Sequence, residues 1–507
     1  MSNQLLTDQP PRPAKRRLRY VIVSAIVVLF ILLLAGGYCF LTLSGAYQLN
    51  AAVAEADQSD LNWRLGDLEA SRANYPDDDN SMLKIQEADK LIAGTPCWQW
   101  AVPEAGDDKG YATDVRDMLN RSFDGLKVGT QLNDRQQAAL RTELKRLAAA
   151  VEKARELEKM PHGRTVIKWA PNPVATLLPH LQEARNATLL LGYDALRRAQ
   201  ETDIDGSLAS CRAALNAGRA IGDEPLFISQ LVRVACRSVA MRRMEKALGL
   251  GEASKPALLR AQRALEEDAE EPLFLFAAKG ERGIADGVMR QIEDGKMTYA
   301  QIRPIVSTAA PAKGYVPTDE LQALLIVGSP RIQHAALLRF MTQMVEAAKL
   351  TPERQFQRTK ELERSVANQP VIVRILVPAL TKLASAFLRT MAECRCAEVG
   401  FALERYRLDH QKWPGSLEEL LPTYLAKVPT DPFDGQPLSY RPFDRGVKVY
   451  SVGDDGVDNG GALDGPPVGP GADVGFRLLD VQYRRQPAEP FVLPERLPNS
   501  AMPRAKN

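Results

Sequence analysis

Between Tyr20 and Leu43 the chain reads YVIVSAIVVLFILLLAGGYCFLTL, 24 residues without a charged side chain. A run this apolar has to be covered, either by protein or by lipid. As a helix rising 1.5 Å per residue, it is long enough to cross a hydrocarbon layer of roughly 30 Å with some tilt. Arg12, Lys15, Arg16, Arg17 and Arg19 precede it. No Lys or Arg follows until Arg64, while Glu55, Asp57 and Asp60 do. Basic flanks stay on the cytoplasmic side, so the expected topology has the N-terminus inside and the chain from about residue 44 outside. The apolar core of a cleaved signal peptide is shorter, about 7–15 residues, and ends at a small-residue site that this run lacks. Lipoprotein processing is also not expected, because Tyr38 rather than a small residue precedes Cys39. The expectation is a permanent single-pass anchor.

A second apolar stretch, Pro370 to Ala392, contains Arg374, Lys382 and Arg389. Charges there are costly in a bilayer, so the prediction is a helix buried in protein. Over 507 residues the net charge is only +2, which gives no basic field for nucleic acid. Aromatic residues are 6% of the chain, which favours Leu/Ala-rich helices over a large β-sandwich. Of the six cysteines, only Cys211 and Cys236 stand out as a possible bridge, and no disulfide framework is expected. Cys394 and Cys396 form a C-x-C pair whose side chains diverge by about 200° on a helix, a poor metal clamp.

The fold class expected is mainly α: an N-terminal transmembrane helix, an extracytoplasmic helical bundle or solenoid-like region, and a small C-terminal α+β domain. The boundaries read as a basic cytoplasmic tail (1–19), the span (20–43), a helical region (44–180), a helical-hairpin region (181–302), a Pro/Gly-rich linker (303–320), a further helical region (321–384), the α+β domain (385–482) and a Pro-rich disordered tail (483–507). Within 46–93, Tyr75 to Asn80 reads as a loop between two helices, the second starting near Ser81, and Thr95 to Trp100 as a loop with aromatic plugs. Leu140, Leu144, Leu147, Val151, Ala154 and Leu157 form one stripe of a helix from about Asp134 to Met160, capped by Asn133 or Asp134. Turns at Asp203–Gly206, Gly222–Pro225 and Gly251–Pro256 separate further helices. The segment DIDGSLASCRAALNAGRAI faintly resembles the first helix of tetratricopeptide hairpins, but no 34-residue period is sustained. A long helix is predicted over Val371–Asp409.

After that helix the character of the chain changes. Trp413-Pro414-Gly415-Ser416 is expected to cap a short helix, Leu417–Leu421, and Val428-Pro429-Thr430-Asp431-Pro432 breaks the chain. Alternation predicts strands at Leu438–Arg441 and Val447–Val452, joined by a turn at Pro442–Gly446. Four features in this order resemble the C-terminal domain of the major pseudopilin of type II secretion systems, over about residues 385–480. They are the helix end with Ala402, Leu403 and Tyr406, the Trp413-Pro-x-Ser-Leu-x-x-Leu420 turn, the Val428-Pro-x-Asp-Pro432 break, and the Tyr450-Ser-x-Gly-x-Asp-Gly456 strand end. Overall the chain also looks like large anchored proteins of planctomycete-type bacteria that carry a similar tail. In pseudopilins this domain continues the membrane helix directly. Here a long region intervenes, and the Gly and Glu of the pilin cleavage motif are absent from the 20–43 run. Assembly into a fibre is therefore not expected.

Asp454, Asp455, Asp458, Asp464 and Asp473 crowd a glycine-rich loop. Hard oxygen donors on such a backbone suit calcium, although the spacing is not that of an EF-hand. The resemblance implies one structural calcium ion, with a carboxylate ligand at Asp455, a carbonyl ligand at Val452 and a later acidic ligand at Asp464 or Asp473.

Phosphate-loop, dinucleotide, zincin and nucleophile-elbow motifs are all absent from the sequence, and His162, His180, His334 and His410 are widely separated. No catalytic residue or other cofactor is expected. The functional expectation is a membrane-anchored envelope protein with a structural or protein-binding role, whose partner is another envelope protein. The alternatives are an accessory of a type II secretion or pilus-like system, and a hydrolase with a site in the helical region.

Overall fold

The computed structural model describes residues 14–92, 121–123, 125–297, 329–463 and 472–488, with the side chains of 14–19 and 375–383 left aside. The expected linker, the Thr95–Trp100 loop and Asp464 lie outside the described residues. The chain is mainly helical and carries a small C-terminal antiparallel sheet.

Helix α1 covers Ala14–Ser59. From Tyr20 to Leu43 every side chain is exposed, with Leu33 at 66% and Leu43 at 73%. Among the described residues this is the one helix long and apolar enough to cross a membrane. The helix does not end where the apolar run ends. It continues unbroken and packs against α11 (Pro330–Ala348). A Cβ on Gly45 would sit 3.1 Å from the Cβ of Arg331, so the two backbones approach closely only because Gly45 has no side chain. Further out, Ala52 and Ala56 bury against Ala335 and Leu338, with Trp63 completing the cluster. Small residues here let the helices meet at short range. Polar contacts repeat along the seam: Arg339 to Glu55 at 3.0 Å, and the Ser59 hydroxyl to Glu346 at 2.5 Å. Since Gly45, Glu55 and Ser59 meet Arg331, Arg339 and Glu346 in that order, α1 and α11 run parallel.

Beyond the seam, α2 (Leu65–Ser71) and α3 (Ser81–Ile92) follow. The predicted 134–160 helix is divided into α4 (Asp134–Arg146) and α5 (Ala148–Arg155), ending in a 3-10 turn, Glu156–Lys159. The break falls at Leu147, whose φ of −98° and ψ of 17° leave helical geometry while its side chain stays buried. Asn133 caps the start in a capping box with Gln136. Four long helices then stack: α6 (Pro179–Gln200), α7 (Ile204–Arg219), α8 (Phe227–Leu250) and α9 (Lys255–Ala269). The Asp203 side chain caps α7 by accepting the Gly206 N–H at 2.9 Å. Helix α10 (Leu273–Glu293) returns to the anchor end, and α12 (Pro352–Ser365) leads into α13 (Val371–His410).

Helix α13 is 40 residues long, about 60 Å at the helical rise. Val371, Ile372 and Val373 near its start are buried, as are Phe387, Leu388 and the stretch around Phe401. The apolar 370–392 segment is therefore covered by protein at its described side chains. The sheet has the order β1–β2–β3, with β1 Ser439–Phe443, β2 Gly446–Ser451 and β3 Val474–Leu479. The hairpin is tighter than predicted, because Phe443 pairs with Gly446 and only Asp444 and Arg445 remain in the turn. The sheet lies on α13 at Gly400, where a Cβ would come within 2.6 Å of the Phe476 ring.

One core runs from Met82 on α3 to Leu478 on β3. The helical region and the C-terminal module are thus packed together, and α13 passes residue 385 without interruption. The segment expected to begin a disordered tail at 483 is tied into the fold as far as Gln486. Its N–H donates to the Gly129 carbonyl at 2.6 Å, and the Gln131 N–H donates to its carbonyl at 3.0 Å. Cys211 and Cys236 are both buried free thiols, so the bridge considered for them does not form.

The seam gives a direct test. Ala56→Leu inserts bulk between α1 and α11 and should destabilise the folded body by about 1–3 kcal/mol. Thermal unfolding of the detergent-solubilised chain reads the loss, and Leu33→Ala in the exposed span should leave the same transition unmoved.

Candidate functional site

Three places gather chemistry-bearing side chains: the aspartate loop, the histidines, and a buried arginine cluster. In the aspartate loop Asp455, Asp458 and Asp473 accept protein donors. Asp473 is buried and accepts the N–H groups of Gly461 at 2.7 Å and Ala462 at 3.1 Å. Asp458 pairs with Arg441 at 2.5 Å and accepts the Tyr450 hydroxyl at 3.0 Å. The Gly460 N–H and these partners hold its carboxyl below the usual range. Asp455 accepts the Val457 N–H at 3.0 Å. Asp454 lies beside it at the exit of β2, and Val452 anchors that exit through its N–H. Among the described residues, no three His, Cys, Asp or Glu side chains come together as a ligand set. The hydrogen bonds above close the loop with protein groups.

Asp431, quoted above only as part of a chain break, turns out to organise this region. It is buried and accepts the Phe433 N–H, the Ser451 hydroxyl and the Val452 N–H at 2.8–2.9 Å. Burial pushes its carboxyl above the usual range, against those donors. The Val-Pro-x-Asp-Pro break is thereby stapled to the end of β2. Its sequence signal is an Asp between two prolines, a position where a side chain can supply the acceptor for amides that no helix or strand uses. The aromatic turn is fixed similarly: the Trp413 indole N–H donates to Asp480 at 2.6 Å, and Tyr440 donates to the Pro414 carbonyl at 2.9 Å. The short helix after it is a 3-10 turn, Leu417–Leu420, and Glu419 rather than Ser416 meets the Gly415 N–H.

The histidines do not assemble a hydrolytic site. His162 stacks on Tyr75 with ring centroids 5.3 Å apart. His410 stacks on Tyr406 at 4.0 Å. His180 contacts Glu224 at 2.8 Å, and the other oxygen of Glu224 accepts the Ser229 hydroxyl at 2.5 Å. The carboxylate stands between serine and imidazole, so the imidazole does not take the serine proton as a nucleophile's base does. All three residues are buried. His334 lies between two carboxylates at the anchor end of α10 and α11. The buried thiols are equally unsuited to attack, since burial pushes Cys211 up to about 12 and Cys236 up to about 11. A groove of about 350 Å³ between α4–α5 and α6 is lined by Arg141, Arg155, Arg197, Asp194 and Glu201. These charges pair with one another, Arg155 with Asp194 at 2.7 Å and Arg141 with Glu201 at 3.1 Å.

The densest buried charge lies where α7, α8 and α9 meet. Asp268, 1% exposed, receives Arg237 at 2.5 Å and Arg233 at 3.2 Å. Arg233 and Arg219 also reach Glu271, at 2.6 and 3.2 Å. Arg237 additionally donates to the Asp268 main-chain carbonyl at 2.7 Å, in the last turn of α9, where the helix dipole favours a cation. Burial alone would raise the Asp268 carboxyl, but Arg237 and Arg233 outweigh it and hold it below its ordinary 3.8. A second hub joins the C-terminal segment to α13. The buried Glu404 binds Arg484 at 2.8 and 2.9 Å and Arg407 at 2.8 and 3.0 Å. These clusters are fastenings between elements, and sequence reading missed them because their members are far apart along the chain.

No family model, curated protein or solved structure matches this chain.

Removing Asp268 would strand buried arginines. Asp268→Ala should cost about 3–5 kcal/mol, measured by denaturant unfolding at neutral pH. Because the folded carboxyl titrates below 3.8, its contribution is present above that value and fades as pH falls through the folded pKa. The difference between wild type and variant should therefore shrink in strong acid.

Proposed function

We propose that this chain is a single-pass envelope protein that holds or recruits another envelope component, with its N-terminus in the cytoplasm and its folded body outside. The observation that carries this reading is the unbroken passage of α1 from an exposed apolar span into a packed seam with the body. Such a seam fixes the body at the membrane in one orientation, as a tether or platform requires. The basic residues before Tyr20 and their absence after it until Arg64 support the topology. The secretion-accessory reading rests on the C-terminal features that resemble pseudopilins, and the hydrolase reading lacks an accessible nucleophile–base pair at the histidines described.

Topology is tested by adding protease to spheroplasts. Digestion should remove the body and leave a protected fragment containing residues 1–43; an intact body would reverse the orientation. Crosslinking in intact membranes then separates the roles. A reproducible envelope partner supports the tether, recovery of pseudopilins favours the secretion accessory, and the absence of any crosslinked partner counts against recruitment.

Calcium at Asp455, the Val452 carbonyl and Asp464 or Asp473 is likewise a proposal, supported by the resemblance and by the acidic residues gathered after β2. Calcium should raise the melting temperature of the detergent-solubilised chain relative to EDTA, and Asp455→Ala should abolish the rise. Identical melting with and without the ion would remove calcium from the account.

A further inference from the structure

The anchor end of the body contains a buried histidine with acid on both sides. His334 lies in the second turn of α11 and is 1% exposed. Its Nδ1 is 2.6 Å from Glu293 Oε1, and its Nε2 is 3.2 Å from Asp286 Oδ1, both on α10. Each ring nitrogen thus faces an acceptor. A neutral imidazole has one N–H and one lone pair, so it satisfies only one of these carboxylates and sets its lone pair against the other. The imidazolium satisfies both.

We propose that His334 is a proton-operated latch between α10 and α11: the doubly protonated ring closes the contact, and loss of one proton loosens the helix that carries the anchor seam. The next residue, Ala335, buries directly against the Ala52–Ala56 stripe of α1, and Leu337 faces the core shared with α10. A change at His334 is therefore one residue from the tether. The unequal distances name the contact that opens first. The proton remains on Nδ1, toward the nearer Glu293, and the bare Nε2 is left facing Asp286.

The arginines paired with these two acids are half exposed to solvent. On α10, Arg290 pairs with Asp286 at 2.8 Å but is half exposed. On α11, Arg331 is 3.7 Å from Glu293 and also half exposed. The first turn of α13, which touches Gln333 through the Ile372 N–H at 3.2 Å, brings Arg374. From Ser44 to Ala54, α1 brings no charged group. Burial would lower the imidazole pKa, and the hydrogen bonds that the protonated ring donates to Asp286 and Glu293 overcome it and raise it above the ordinary 6.5. With the folded value raised, the stabilisation is complete below 6.5 and is lost as pH rises through the folded pKa.

The experiment is amide hydrogen exchange on the full-length protein in detergent across pH 5.5 to 9, corrected for intrinsic exchange. In wild type, protection of α11 and the C-terminal half of α10 should fall at least tenfold as pH rises, while α7 and α8 hold steady. Asp286→Asn should remove this dependence, because an amide N–H can donate to the bare Nε2 of a neutral ring. His334→Gln, which does not titrate, should also be flat, and if it fails to fold the Asp286→Asn comparison decides alone. A wild-type profile without a pH step, or one that Asp286→Asn reproduces unchanged, would overturn the latch.

Discussion

An α-helix that is apolar on every side has to be covered on every side; the Tyr20–Leu43 run of α1 is such a stretch, and the 370–392 stretch of α13 is apolar but for Arg374, Lys382 and Arg389. In α13 the covering is protein. Helices α8, α9, α11 and α12 and the sheet surround it, so its two ends serve two different cores. In α1 the span from Tyr20 to Leu43 has no protein cover at all. The arginines and lysine inside 370–392 explain the division, because they are costly in lipid and tolerable beside protein partners and solvent.

The body is then fastened by charge as well as by apolar packing. Asp268 and Glu404 each draw two arginines into places with almost no access to water. Buried ion pairs add little net stability compared with apolar contacts of the same size, but removing one partner is expensive. Their consequence is definition: helices rich in Ala and Leu can slide against one another, whereas a carboxylate between fixed guanidinium groups is satisfied at one register. The Glu404 hub carries this to the chain end, where Arg484 links α13 to the Gly251 carbonyl after α8. That is why the C-terminal segment belongs to the fold as far as Gln486.

Much of the helical order was legible in local chemistry. The caps at Asn133 and Asp203, the turn at Gly222–Pro225 and the long helix from Val371 all depend on neighbours a few residues apart. The continuation of α1 past Leu43 was not legible, because Ala52 and Ala56 gain meaning only from Ala335 and Leu338. The third strand was readable in principle from the alternation of Val474, Phe476 and Leu478, but glycine and proline before it obscured the start. The acidic loop drew attention by composition, whereas Asp431 and His334 owe their roles to partners that topology brings from elsewhere.

Helix α13 connects the region of the seam to the C-terminal sheet. Its start meets Gln333 near the anchor, and Phe387 lies by Ala348 at the far end of α11, so α13 runs parallel to α11 and hence to α1. This helix runs parallel to α1 and is covered by protein at its described apolar side chains from Val371 onward. The sheet, seated at Gly400, thereby lies about 44 Å along α13 from its start. The apolar span and the C-terminal module thus sit on two parallel helices, α1 and α13, that both pack against α11. A change in the α10–α11 contact would therefore act on both at once, which is what makes the position of His334 consequential.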